Sequence, residues 1–349
     1  MLRLTYRTFM TTLSSTMPRR TLRWIAILAM VVALGLATLG LWTAKPPSLP
    51  PLPNPNGYDD FIKAAGAVAG QFGNPQTPSR DELSALVATN GEALRLLRAG
   101  LTKRAVFPTV SGITNFDALL SQFARMKSLA LLLAADGRLH ELNGQPYAAA
   151  QCYLDAIRFG NEMSRGGFLI HRLVGVALEA IGLRPLVQLL PKLNRDENGA
   201  ILKELEQIEA TRVTWEEVWA GETRFARFST KALFRPFLKL FMWKQLETVR
   251  RNGETKHNSA VARLRLLEVE LALRSYRADR RHAASRLEEL TPGYLRKTLP
   301  DPFTGQPLIY RPQGTNWLLY SVGPDGIDDG GQPFGATAAG KGDLLLDTP

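Results

Sequence analysis

The sequence predicts a mainly α protein. It should have an N-terminal transmembrane helix, a helical domain, and a small C-terminal α+β module with an antiparallel sheet. Three observations lead there. An uncharged apolar run stands near the N-terminus, apolar residues recur at helical spacing through the middle, and two β-rich runs flank a short turn near the end.

Residues 1–23 read as a basic cytoplasmic tail. Arg3, Arg7, Arg19, Arg20 and Arg23 stand there without an acidic residue. Trp24–Trp42 follows without a charge, with a tryptophan at each end. At about 1.5 Å per residue it spans a hydrocarbon core of about 30 Å, and the tryptophans suit the interfacial belt. The preceding basic residues keep the N-terminus cytoplasmic and place the bulk across the membrane. The apolar run is longer than that of a cleavable signal. Trp42 also stands where cleavage after Ala44 would need a small residue, so an uncleaved anchor is expected. Residues 43–57 are a Pro-rich linker, and proline at this density favours an extended spacer.

The net charge of +11 lies partly in this tail and partly between Arg212 and Lys297. The second share could favour an anionic surface such as a membrane, or form a solvated helical face. Cys152 is the only cysteine, which excludes an intrachain disulfide and a thiolate cluster. His140, His171, His257 and His282 have no ligand-like spacing, which argues against a zinc enzyme.

Residues 58–255 read as a helical domain. "SRDELSALVATNGEALRLLRAG" opens with a Ser79 cap and an acidic first turn. Leu83, Leu86, Val87, Leu94 and Leu97 mark its apolar face, and Gly100 is a stop signal. "FDALLSQFARMKSLALLLAADGRLHEL" is one long helix or a broken pair. From Trp215 to Arg251 the chain is aromatic and basic. Phe234, Phe237, Leu238 and Phe241 form a stripe there, fit for the core or for a membrane surface, and Pro236 marks a helix start or a kink.

Within that domain, Gly137, Gly144, Ala149, Tyr153 and Ala156 fall seven, five, four and three apart. Small residues let two helices of a hairpin approach, and the aromatic fills the gap above them. On these residues Leu132–Met163 resembles a single tetratricopeptide repeat; the alternative is an ordinary αα-hairpin.

Residues 258–349 have a different texture. The helix-like "VARLRLLEVELALRSYRADRR" precedes "PLIYRP" and "NWLLYSV", joined by "QGTN" as a hairpin turn. Gly293, Tyr294, Leu295, Leu299, Pro300, Asp301, Pro302, Gly305, Pro307 and Tyr310 follow one another in a distinctive order. Tyr320, Ser321, Gly323, Asp325 and Gly326 continue it. In this order the last quarter of the chain resembles the globular domain of the major pseudopilin of type II secretion. The resemblance implies a calcium loop in which Asp325 is a side-chain ligand and the Val322 carbonyl a backbone ligand. Asp343 would match a later loop aspartate, and Asp328 or Asp329 would stand in for a middle one. The chain departs from that family in its longer loop, in "RRHAAS" before the sheet, and in lacking a pilin leader before Trp24.

Calcium also suits the loop on chemical grounds. It takes six to eight oxygens from carboxylates and carbonyls, and clustered carboxylates repel without a cation. Ile327 at the third ligand position and Ala336 at the twelfth exclude an EF-hand. "GATAAGKG" misses the P-loop Ser or Thr, so nucleotide is not expected, nor is nucleic acid. "HELNG" lacks the second histidine of a zinc protease, and no Gly-x-Ser-x-Gly elbow is present.

The expectation is a non-enzymatic scaffold or adaptor of the bacterial envelope. It would be single-pass in the inner membrane, with its body periplasmic or extracytoplasmic and other envelope proteins as partners. One alternative is a component of a type II secretion or pilus-like system. Another is an envelope enzyme whose site forms only in three dimensions.

Overall fold

The computed structural model describes residues 51–70, 72–108, 116–229, 235–334 and 341–346. The basic tail, the Trp24–Trp42 anchor, the linker before Pro51, Phe234 and most of "GATAAGKG" lie outside the described residues, as do the side chains of Phe237, Leu238 and Phe241. Nearly everything described belongs to one compact unit, Pro50–Phe225 with Lys244–Pro349.

Side-chain caps start several of the helices, at positions where the sequence carries a capping residue. Asn56 accepts from the backbone of Tyr58 and opens α1, Gly57–Ala67. Ser79 and Glu82 form a reciprocal capping box that opens α2, Arg80–Thr89. The single helix expected from Ser79 to Gly100 is two helices. Buried Asn90 breaks it, because its amide donates to the carbonyls of Ala69 and Leu86 while its oxygen accepts from the Ala69 backbone. Helix α3, Gly91–Leu101, then runs one residue past the glycine stop.

Helix α4, Phe116–Leu142, is one continuous helix, and α5, Pro146–Ser164, returns antiparallel to it after Gly144 at φ +73. A Cβ on Gly137 would collide with the Tyr153 ring, so this hairpin closes on the glycine and aromatic that its sequence places there. Helix α6, Leu169–Leu189, packs on α5 just as closely. Gly160 and Gly175 bring the two backbones together where any side chain would clash. Helices α4 and α6 are long and apolar enough to cross a membrane by length and composition, and half of each apolar window is buried inside the body.

Asn194 with Glu197, and Thr214 with Glu217, box the starts of α7, Arg195–Ala210, and α8, Trp215–Ser229. Helix α9, Arg235–Arg280, begins one residue before Pro236, a place where proline costs no hydrogen bond. It ends beside Arg281, whose φ is +66. The domain junction expected between residues 255 and 258 falls inside this unbroken helix. Gly253 does not end it, because the glycine is a contact point: a Cβ there would press on Leu169 and Trp215.

After α9 comes a sheet of three antiparallel strands in the order β1-β2-β3: β1 Ile309–Gln313, β2 Asn316–Ser321 and β3 Leu344–Leu345. Gln313 pairs with Asn316, so Gly314–Thr315 is a two-residue turn, and Gly314 at φ +64 supplies the positive φ that such a turn needs first. The small sheet is therefore antiparallel as expected, on a mainly helical body.

Two large apolar clusters fill the body. One gathers Tyr58, Phe61, Leu97, Phe107, Phe123 and Phe159 around α1, α3, α4 and α5. The other joins Tyr153, Ile157 and Ile201 of the helices to Leu267 of α9 and to Leu295, Leu299, Leu308 and Leu319 near the sheet. The helical region and the C-terminal module thus share one core.

Candidate functional site

The turn before β1 is organised by Asp301, which is 1% exposed. Its Oδ1 accepts from the Phe303 backbone at 2.9 Å and its Oδ2 from the Val322 backbone at 3.0 Å. Backbone bonds from Asp301 to Gln306 and from Gly305 to Asp301 close the same turn. Asp301 therefore ties "DPFTGQP" to the start of the aspartate loop.

The loop aspartates have distinct surroundings. Asp328 faces cations and donors already present: Tyr320 Oη donates to it at 2.6 Å, Arg311 Nη2 at 2.7 Å and the Gly330 backbone at 2.9 Å. Those hydrogen bonds, the tyrosine's first, hold its carboxyl below the usual range. Asp343 is fully buried and accepts from the Gly331 backbone at 2.7 Å. Burial raises its pKa, and the nearby Asp328 and Asp329 add to the rise. Asp325 Oδ1 accepts weakly from Ile327 at 3.3 Å. Asp325 Oδ2 and Asp329 Oδ2 are buried oxygens with no hydrogen-bond partner. The Val322 amide is taken by Asp301.

Calcium fits part of this set. Asp329, which has one orphaned oxygen, lies next to buried Asp343, and Asp325 carries a second orphaned oxygen in the same loop; unpartnered carboxylate oxygens are the kind of acceptors a hard cation satisfies. Asp328 fits least, because Arg311 already neutralises it. Among the described residues, no three loop aspartates each bring one carboxylate oxygen within 4.8 Å of the others, whereas Asp136, His140 and Cys152 each bring one ligand atom that close.

A second constellation escaped sequence reasoning altogether. Arg172 is buried on α6, where its Nη1 meets Glu179 Oε1 at 2.5 Å and its Nε donates to His257 Nδ1 at 2.9 Å. Arg212 bridges Glu179 at 3.3 Å and Glu209 at 2.8 Å. Arg265 continues from Glu209 at 2.7 Å to the Pro300 carbonyl at 2.6 Å. Burial opposes charge on Glu179, but Arg172 and Arg212 outweigh it and hold its carboxyl below the usual range. Glu179 also lines a cavity of about 160 Å³ with Val176, Leu183, Lys256 and Arg263. The network strings α6, α7 and α9 to the C-terminal module. Its chemistry is structural, since both carboxylates are held by arginines, although Arg172 Nη2 and Arg212 Nη2 are buried without a hydrogen-bond partner. No spacing in the sequence signals it, because His257 lies 85 positions from Arg172.

No protein-family model matches the chain, and no curated protein or solved structure matches it either.

Proposed function

We propose that the chain is a membrane-anchored extracytoplasmic scaffold or adaptor of the bacterial envelope, held by Trp24–Trp42, with a C-terminal module stabilised by calcium. One observation carries the scaffold reading. Leu295, Leu299, Leu308 and Leu319 pack in the same apolar cluster as Tyr153, Ile157 and Ile201. The module is a fixed face of the helical body, and a fixed face is what an adaptor presents to a partner. Trp317 adds to this by donating to Glu270 of α9 at 2.7 Å. Cross-linking the full-length chain in intact cells should recover envelope proteins in constant proportion. A chain that fractionates with the membrane but captures none would sink the reading.

The calcium part rests on the orphaned oxygens of Asp325 and Asp329 in one loop, the latter next to buried Asp343. Thermal unfolding of the full-length chain in detergent tests it. Calcium at 100 times its dissociation constant should stabilise by about 2.7 kcal/mol. The gain should vanish with chelator and in Asp325→Ala. An unchanged melting temperature in a folded chain would reduce the loop to a turn held by Asp301 and Asp343.

A further inference from the structure

We propose that Asp136, His140 and Cys152 form a transition-metal site of the zinc class, with one coordination position open to water. Asp136 and His140 stand four apart on α4 and share a face. Cys152 reaches them from α5 because Gly137 lies against the Tyr153 ring and lets the hairpin close. One ligand atom from each residue lies within 4.8 Å of the other two. Asp136 Oδ1 is 3.8 Å from His140 Nε2, and Cys152 Sγ is 3.4 Å from Asp136 Oδ2. Ligands around a tetrahedral zinc are themselves about 3.3–3.8 Å apart. The three side chains therefore need only small movements to close on an ion.

The surroundings favour the same reading. His140 Nδ1 is 2.7 Å from Gln145 Oε1. With Nδ1 as the donor, the Nε2 lone pair is directed to Asp136 and Cys152, the outer hydrogen bond that orients metal-binding imidazoles. Arg98 Nη2 donates to Asp136 Oδ2 at 2.8 Å, which leaves Oδ1 for the ion. The same nitrogen lies 3.3 Å from Cys152 Sγ, where its bond strengthens into an ion pair once the sulfur is a thiolate. Arg98 Nε also meets Asp155 at 3.2 Å. Arg158 approaches Asp155 at 3.7 Å but is shared with Glu204 at 3.1 Å. Three carboxylates thus face two guanidinium groups, a deficit of one positive charge. A divalent ion that displaces the thiol proton to solvent adds one positive charge and closes that deficit.

The donor set selects the metal class. Sulfur and imidazole favour zinc-like ions over calcium, and three protein ligands leave a fourth position for water. The His140 side chain, 33% exposed, is the entry edge, while Cys152 is buried behind it.

Cobalt(II) is the probe. It is titrated into the full-length chain in detergent, kept reduced with a phosphine. One ion per chain should bind with a thiolate-to-cobalt charge-transfer band, bleached by Zn2+ and untouched by Ca2+. His140→Gln changes a partly exposed side chain and leaves the buried sulfur in place, so its fold, checked by circular dichroism, should persist. It should weaken cobalt binding by more than about tenfold, and Gln145→Ala by about tenfold. Cys152→Ser should abolish the band. A folded wild-type chain without the band, or a band of unchanged affinity in His140→Gln, would overturn the site.

Discussion

Arg172 Nε donates to His257 Nδ1 at 2.9 Å, so a guanidinium on α6 and an imidazole on α9 meet in the interior. The same guanidinium holds Glu179, which leaves its carboxylate dependent on two arginines. Arg172→Met should destabilise the chain by about 3 kcal/mol, because it leaves a buried carboxylate short of a partner. Arg172→Lys should recover little, since a single ammonium cannot serve both Glu179 and His257. Urea denaturation midpoints of the two variants check this.

Acid should loosen the fold through two histidines. Burial lowers the pKa of both His171 and His257 to about 3. Unfolded, each titrates near 6.5. Their contribution is therefore fully present above about pH 6.5 and is lost as pH falls toward 3. His171 sits among Phe107, Phe123 and Phe168 with ring centroids 4.0, 5.0 and 4.5 Å away. His171→Phe should flatten the acid limb of a stability–pH curve, and an unchanged slope would refute its origin in this ring.

Glu268 should act in the opposite sense. Burial first, and the neighbouring Glu209 second, raise its pKa to about 8. The folded chain then holds a proton that the unfolded chain releases near its ordinary value, so stability falls as pH rises from about 4.5 to about 8. Glu268→Gln keeps the shape without the charge and should add about 4 kcal/mol at pH 8, with little change at pH 4. Equal shifts at both pH values would mean that titration is not the cause.

Much of this was legible where the cause is local. Ser79 with Glu82 and Gly314 in the hairpin turn each follow from a residue's own stereochemistry within a few positions, and the Gly137–Tyr153 contact from one short helical hairpin. The long helix was not. Residues 244–260 carry few apolar side chains, so periodicity fades there, and Gly253 looks like an end until α6 and α8 are packed against it. The charged network, and the meeting of Asp136 and His140 with Cys152, were hidden for the same reason. Histidine spacing along the chain is silent about a cysteine contributed by the next helix. The loop aspartates were found as a group, but the division of labour among them depends on Arg311, Tyr320 and backbone amides that only folding brings near.

Tightness at the hairpin has a measurable cost when violated. Gly137→Val would force branched methyls into the Tyr153 ring, which also donates to Glu141 at 2.6 Å. A loss of about 3 kcal/mol is expected from overpacking and β-branching. Thermal melting of the variant checks it; a melting temperature within error of wild type would show that α4 and α5 can separate freely.

Asp301 should matter more than its place in a turn suggests. Asp301→Ala strands the Phe303 and Val322 amides and should cost about 3 kcal/mol, while Asp301→Asn, which keeps one acceptor, should cost less. Chemical denaturation of both variants orders them, and the reverse order would refute the hub.

Cys152 is the chain's single sulfhydryl and only 3% exposed. An alkylating reagent can reach it only when the side chains that cover it, Arg98 of α3 and Asp136 of α4 among them, move aside. The rate of modification therefore clocks the loosening of this part of the helical body at a single, known position of the chain.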